Sequence, residues 1–205
     1  GGQIPIDPQT LNYIVRSPED ERYLKDPIAQ AKVANSLAIS EVDITQYDLV
    51  FISGGWGAAY DLAQSAELGV QVSTSYYGER KAVIGGVCHG VLGLVNAQDI
   101  DGNKLIAGRR MTGVSDKQIK ELGIEVTPLH PETELRKAGV IYEHQTAFRD
   151  FFATHVVVDD EQRFRGLLQG LGGPGTLAGE EQGGAGLGDQ FLDPRMAGEV
   201  DAFME

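Results

Sequence analysis

Residues 83–93 read VIGGVCHGVLG. An apolar run ends in glycines, and the only cysteine of the chain follows, with a histidine directly after it. Lys81 to Val87 has the length and β-branched content of a buried strand, and Val91 to Ala97 reads as a helix. Between them Gly86, Cys88 and Gly90 stand at the spacing of a nucleophile elbow, with sulfur in place of a serine oxygen. A strand that turns this sharply into a helix strains the central residue and projects its side chain over the sheet edge. Side chains two residues before or after would collide with the bend, so glycine is expected at both.

The pattern repeats on either side. Asp48 to Ser53 is a second short apolar run, stopped by Gly54-Gly55, with a helix expected over Ala58 to Leu68. Lys104 to Thr112 reads as a strand with a glycine interruption. Asp116 to Leu122 and Pro131 to Ala138 read as helices, each ended by a glycine. Thr154 to Val158 reads as a strand and Asp159-Asp160 as a hairpin turn. Upstream, Ser17-Pro18-Glu19-Asp20 and Asp26-Pro27 each offer a cap followed by a first-turn proline. Strands alternating with helices predict an α/β fold, a parallel sheet with helices on both faces. Ligands in such sheets bind beyond the carboxyl ends of the strands. Residues 53–57 (SGGWG) and 85–90 (GGVCHG) both lie at such ends and should meet in space.

The chain has 205 residues, enough for one domain over about 1–165. A formal net charge of −13 argues against a nucleic-acid surface and against anionic lipid. No apolar run approaches the ~20 residues of a bilayer span. One cysteine excludes an intrachain disulfide and a Cys-rich zinc site, and a reducing cytoplasm is the default. Residues 166–205 are rich in glycine with scattered acids, and read as a flexible acidic tail with room for a short helix around Met196 to Met204.

At a helix start, Cys88 would face backbone N–H groups that favour an anion, and such settings lower a thiol from about 8.5 to roughly 3.5–7.5. The N–H of His89 is placed to receive a developing oxyanion, and Gly55 is the natural second donor. Gly54, Trp56 and Gly57 would line the same pocket. A lone cysteine is more often a small buried hydrophobe; the flanking glycines weigh against that here. His89 has two readings, a helix-start residue or a proton carrier. Adjacent helical side chains diverge, so it reaches the sulfur only across a distorted elbow. Trp56 is either packing or an aromatic wall. His130-Pro131-Glu132-Thr133-Glu134 gathers a histidine and two acids, but without a further ligand at metal spacing helix-start acids are the better reading, and no metal is expected.

GGVCHG after an apolar strand, with YDLVFISGGWGAAYDL (47–62) upstream, resembles the ThiJ/PfpI family of the class I glutamine-amidotransferase-like superfamily. DGNKLIAGRRMTGVSD (101–116), ELGIEVTP (121–128), ELRKAGVIYE (134–143) and THVVVDDEQRF (154–164) extend the resemblance over roughly residues 1–164. It is nearest to the branch of heat-shock chaperones and glutathione-independent glyoxalases. The resemblance implies a flavodoxin-like sheet, a homodimer, and no organic cofactor. It implies Cys88 as nucleophile, His89 as its partner, Gly55 in the oxyanion hole, and an acid some thirty residues later, for which Asp116 is the candidate. The chain departs from the family in lacking the first strand–helix–strand unit, in placing Trp56 where a histidine is common, and in diverging after Phe164.

The implied function is a cysteine enzyme acting on a small reactive carbonyl, a glyoxalase or deglycase, with a cysteine hydrolase as close variant. The alternatives are a non-catalytic chaperone-like or redox-sensing dimer, or an inactive fragment of such an enzyme.

Overall fold

The computed structural model describes residues 1–6, 17–121, 123, 126–144 and 155–168. They form two compact units, Gly1–Asp43 and Ile44 onward. In the first unit, helix α1 (Pro18–Lys25) opens on Ser17 with a reciprocal capping box to Asp20. Helix α2 (Pro27–Ala34) opens on Asp26, whose carboxylate accepts from the N–H groups of Ile28 and Ala29. Both starts are those read from Ser-Pro and Asp-Pro.

The second unit is built on a four-stranded sheet. Its strands are β1 (Leu49–Ile52), β2 (Val83–Val87), β5 (His155–Val158) and β6 (Phe164–Leu168), in the order β1-β2-β6-β5. The pairs β1–β2 and β2–β6 are parallel, and β5–β6 is an antiparallel hairpin. The sheet is therefore mixed but mostly parallel, the α/β architecture expected. Two short strands, β3 (Arg110–Met111) and β4 (Ile141–Tyr142), pair in parallel as a separate ribbon.

Three local expectations need correction. The strand over Lys104 to Thr112 is confined to Arg110–Met111, because Leu105 to Gly108 form turns, with the Gly108 N–H bonded to Gly139 O. The helix over Ala58 to Leu68 is broken into α3 (Ala58–Asp61), a single 3₁₀ turn at Leu62–Gln64, and α4 (Ala66–Tyr77), which Ser65 caps through the Leu68 N–H. The helix over Val91 to Ala97 is instead a 3₁₀ segment, Cys88–Leu94, that starts at the cysteine itself. Residues 169–205, with the helix expected at Met196 to Met204, lie outside the described residues.

The core lies on one face of the sheet. Ile84, Val91, Leu94, Ile106, Met111, Leu135 and Phe164 have no solvent exposure. Each contributes about 1.5–3 kcal/mol by leaving water. Val50 and Ile52 of β1 turn towards this core, while Leu49 and Phe51 stay exposed, as a period-two strand requires. Behind the core, the Arg109 guanidinium lies 5.1 Å from the ring of Tyr76 and 4.9 Å from that of Phe164. It also binds Asp159 in the β5–β6 turn at 2.5 Å and Glu161 at 2.9 Å. This clasp ties the hairpin to the segment before β3.

Candidate active site

The end of β2 passes directly into a 3₁₀ helix, Cys88–Leu94. Cys88 adopts φ +56°, in the left-handed region that a residue with a Cβ rarely enters. This is the strained bend that the glycine spacing implies. The two flanking glycines serve different contacts. A Cβ on Gly86 would stand 3.1 Å from the Val91 N, within the turn itself. A Cβ on Gly90 would stand 2.2 Å from Ile52 O and 2.6 Å from Ser53 O, so Gly90 makes room for the end of β1 rather than for its own bend. On the other turn, a Cβ on Gly54 would lie 2.9 Å from the Cys88 Cβ and 2.5 Å from Val87 O. The two glycine turns are thus in contact, as their positions at neighbouring strand ends predict.

Around the sulfur the groups converge. His89 Nδ1 lies 3.4 Å from Cys88 Sγ. The left-handed bend brings together two side chains that a regular helix would splay apart. The backbone N–H groups of His89 and Gly55 both hydrogen-bond the sulfur, Gly55 at φ +105°. Val114 and Ile119, from helix α5 (Asp116–Glu121) and the segment before it, pack against Cys88. The Trp56 ring stacks over the His89 imidazole, centroids 6.3 Å apart and planes 27° apart, with Trp56 exposed on its outer side. Gly57 lies open, with nothing within 4 Å of a Cβ added there.

The electrostatics differ from the sequence expectation. Cys88 is half-buried, and burial pushes its thiol above the ordinary value, against the two N–H groups that pull it down. A single short 3₁₀ segment offers less dipole than a regular helix, and desolvation of a thiolate outweighs it. His89 is only 3% exposed, and its pKa is lowered to about 4, by burial first and then by the charge of His130. At neutral pH the pair therefore rests as thiol and neutral imidazole, rather than as thiolate and imidazolium.

Asp116 heads α5 but does not touch the imidazole of His89. Its N–H donates to Glu132 Oε2 at 3.0 Å, Thr133 Oγ1 donates to its Oδ2 at 2.9 Å, and its Oδ1 lies 3.4 Å from His130 Nδ1. The structure therefore gathers Cys88, His89, Gly54, Gly55 and Trp56 and groups Asp116 with His130. His130 occupies the N-cap position of helix α6 (Pro131–Lys137) without a side-chain capping bond, and the sequence groups it with the helix-start acids. The signal that could have raised it is the fold itself: α6 packs on the Cys88–Leu94 turn.

Three comparisons bear on this geometry. The DJ-1/PfpI family profile matches residues 17–160. Glyoxalase 3 of Candida albicans is 30% identical over 109 residues, 52% of this chain and 45% of that protein. A protein of Schizosaccharomyces pombe named as a probable glutathione-independent glyoxalase is 32% identical over 98 residues, 45% of this chain and 37% of that protein. The chain thus spans less than half the length of these curated relatives. Among solved structures, the 24-kDa rapid encystment protein of Francisella tularensis superposes with a TM-score of 0.72 at 28% identity, over 82% of this chain and 71% of that one. Glyoxalase III of Candida albicans superposes at 0.66 and 22% identity, over 82% of this chain and 70% of that one, and supports the fold alone. With the elbow, the paired glycine turns and a profile match over most of its length, the chain belongs to the DJ-1/PfpI family.

Proposed function

We propose that this chain carries a cysteine-dependent activity on small reactive carbonyls, of the glutathione-independent glyoxalase type. One observation carries the reading: a neutral, buried imidazole 3.4 Å from a thiol that a left-handed bend presents between two N–H donors. The names of the curated relatives point to the same chemistry.

The steps follow from the resting protonation. Burial holds the thiol protonated, so ionisation accompanies attack. The Sγ proton passes to His89 Nδ1 as the sulfur bonds to the aldehyde carbon. The carbonyl electron pair moves onto oxygen, where the N–H groups of Gly55 and His89 hold it, and His89 returns the proton to give a hemithioacetal. For methylglyoxal, the hydrogen on the thiol-bearing carbon then leaves as a proton to His89, giving an enediol. Reprotonation at the neighbouring carbon gives a thioester of Cys88. Water cleaves that ester to lactate and regenerates the thiol. Trp56 forms a flat apolar wall beside the imidazole, suited to a small planar dicarbonyl.

The acting unit is proposed to be a homodimer. Among the described residues no helix is long and apolar enough to cross a membrane. Lactate production from methylglyoxal by the parent and by Cys88→Ala, with sedimentation giving the mass in solution, tests the reading. The parent should turn over and the variant should lose essentially all activity. Lactate formation at equal rates by both proteins, or by neither, would end the proposal.

A further inference from the structure

The reaction above fixes two carbons of its substrate, the aldehyde and the carbonyl beside it, and leaves the group beyond them free. The side chains around the sulfur differ in what they offer that group. Val114 and Ile119 pack against Cys88 but are buried, and the His89 imidazole is shut away from water. Of these and Trp56, only Trp56 presents a broad surface outward, 41% of it exposed. Its backbone follows directly on Gly55, whose N–H bonds the sulfur, so the indole is rooted beside the donor assigned to the substrate oxygen.

The ring is also held in place. Its inner face lies on the His89 imidazole, centroids 6.3 Å apart. Trp56 O accepts from the Ala59 N–H at 3.0 Å, and Ala58 and Ala59 are buried where α3 packs on the cysteine turn. The indole is therefore a fixed ledge at the mouth of the site, and a ligand that settles on it orders little that is not already ordered.

We propose that the outer face of Trp56 is the specificity subsite of the Cys88 centre, and that it takes the aromatic ring of an aryl α-oxoaldehyde in preference to the methyl group of methylglyoxal. A methyl group covers little of an indole. An aromatic ring laid on it removes far more apolar area from water and adds the offset contact of two π systems. A net charge of −13 disfavours an acid on that ring, so the group is a neutral one. The aryl group leaves the steps as they are: the aldehyde carbon is oxidised, the ketone carbon is reduced, one water is consumed, and the product is an aryl hydroxy acid.

The inference rests on the proposed reaction at Cys88, so one arm of its test needs no turnover. Cys88 is the only cysteine, and a haloacetamide therefore reports on this site alone. Initial rates of alkylation by N-phenyliodoacetamide and by iodoacetamide are compared in the full chain as parent, Trp56→Leu, Trp56→Phe and Tyr47→Leu. Both reagents lose iodide to the same thiolate, so any change in its ionisation cancels in their ratio. Trp56→Phe keeps a ring over His89. Tyr47 is the control, an aromatic residue 48% exposed at the other end of β1. The ratio of phenyl to plain reagent should fall about fivefold in Trp56→Leu, by less than about twofold in Trp56→Phe, and not at all in Tyr47→Leu. In the second arm, kcat/KM for phenylglyoxal, read as mandelate, over that for methylglyoxal, read as lactate, should fall in the same order. An alkylation ratio that is unchanged in Trp56→Leu, or lowered equally in Tyr47→Leu, overturns the subsite. If that ratio falls as expected while neither oxoaldehyde is consumed by the parent, the proposed reaction fails and the aromatic subsite stands.

Discussion

At the scale of single residues, the site is a set of close approaches that leave no room for a side chain. Gly90 faces two carbonyl oxygens at 2.2 and 2.6 Å, whereas Gly57 has φ −53° and open space. Replacing Gly90 by alanine should cost about 3 kcal/mol or more, because backbone rather than a flexible side chain must give way. Gly57→Ala should be neutral or stabilise by up to about 1 kcal/mol through the unfolded chain. Urea unfolding of the two variants decides it, and equal effects would refute the packing account. His89 makes the second residue-scale prediction. Its unfolded imidazole titrates near 6.5 and its folded one near 4, so between these values the unfolded chain binds the extra proton. The stability it allows is complete above 6.5 and drains away as the pH falls towards 4, by roughly 3 kcal/mol at most. Thermal midpoints taken downward from about pH 7.5 should fall more steeply for the parent than for His89→Gln; parallel curves would count against a buried neutral imidazole.

At the scale of elements, the β5–β6 hairpin is held by charge as well as by the sheet. Asp159, 1% exposed at its side chain, accepts from Arg109 and from the N–H groups of Arg163 and Phe164. Removing the cation leaves a buried carboxylate with backbone donors alone. Arg109→Gln should therefore destabilise by about 3–5 kcal/mol, while Arg80→Gln, whose partner Asp48 lies on an exposed rim, should change stability by less than about 1 kcal/mol. Chemical denaturation of both reads the difference directly. Much at this scale was legible in the sequence. The Ser-Pro and Asp-Pro starts of α1 and α2, the two glycine-stopped strands and the Asp159-Asp160 turn all occur where residue chemistry puts them. The strand over Lys104 to Thr112 failed because its apolar residues serve turns packed into the core, and periodicity cannot distinguish the two. The single helix over Ala58 to Leu68 failed because Ser65 starts a new helix by capping, which breaks the register of the first.

At the scale of the whole molecule, the order β1-β2-β6-β5 sets the last described strand between two others. Ile84 pairs with Phe164 across about eighty residues of chain, so much of the sheet waits on a late, distant segment. A chain ended after residue 163 should lose its cooperative unfolding transition, since β2 and β5 then lack the strand that joins them. A retained sigmoidal melt by circular dichroism would show that β6 is dispensable.

Local sequence by itself determined the α/β class, the elbow at Cys88 and its meeting with the Gly54-Gly55 turn. Each follows from short-range rules: apolar runs of strand length, glycines at a bend, and turns at the carboxyl ends of adjacent parallel strands. Only the tertiary structure decided that the thiol rests protonated beside a neutral imidazole, that Asp116 stands with His130 rather than with His89, and that the sheet runs on through Gly166 to Leu168. Those outcomes depend on burial and on which charges lie across space, and neither is written in the spacing of residues along a chain.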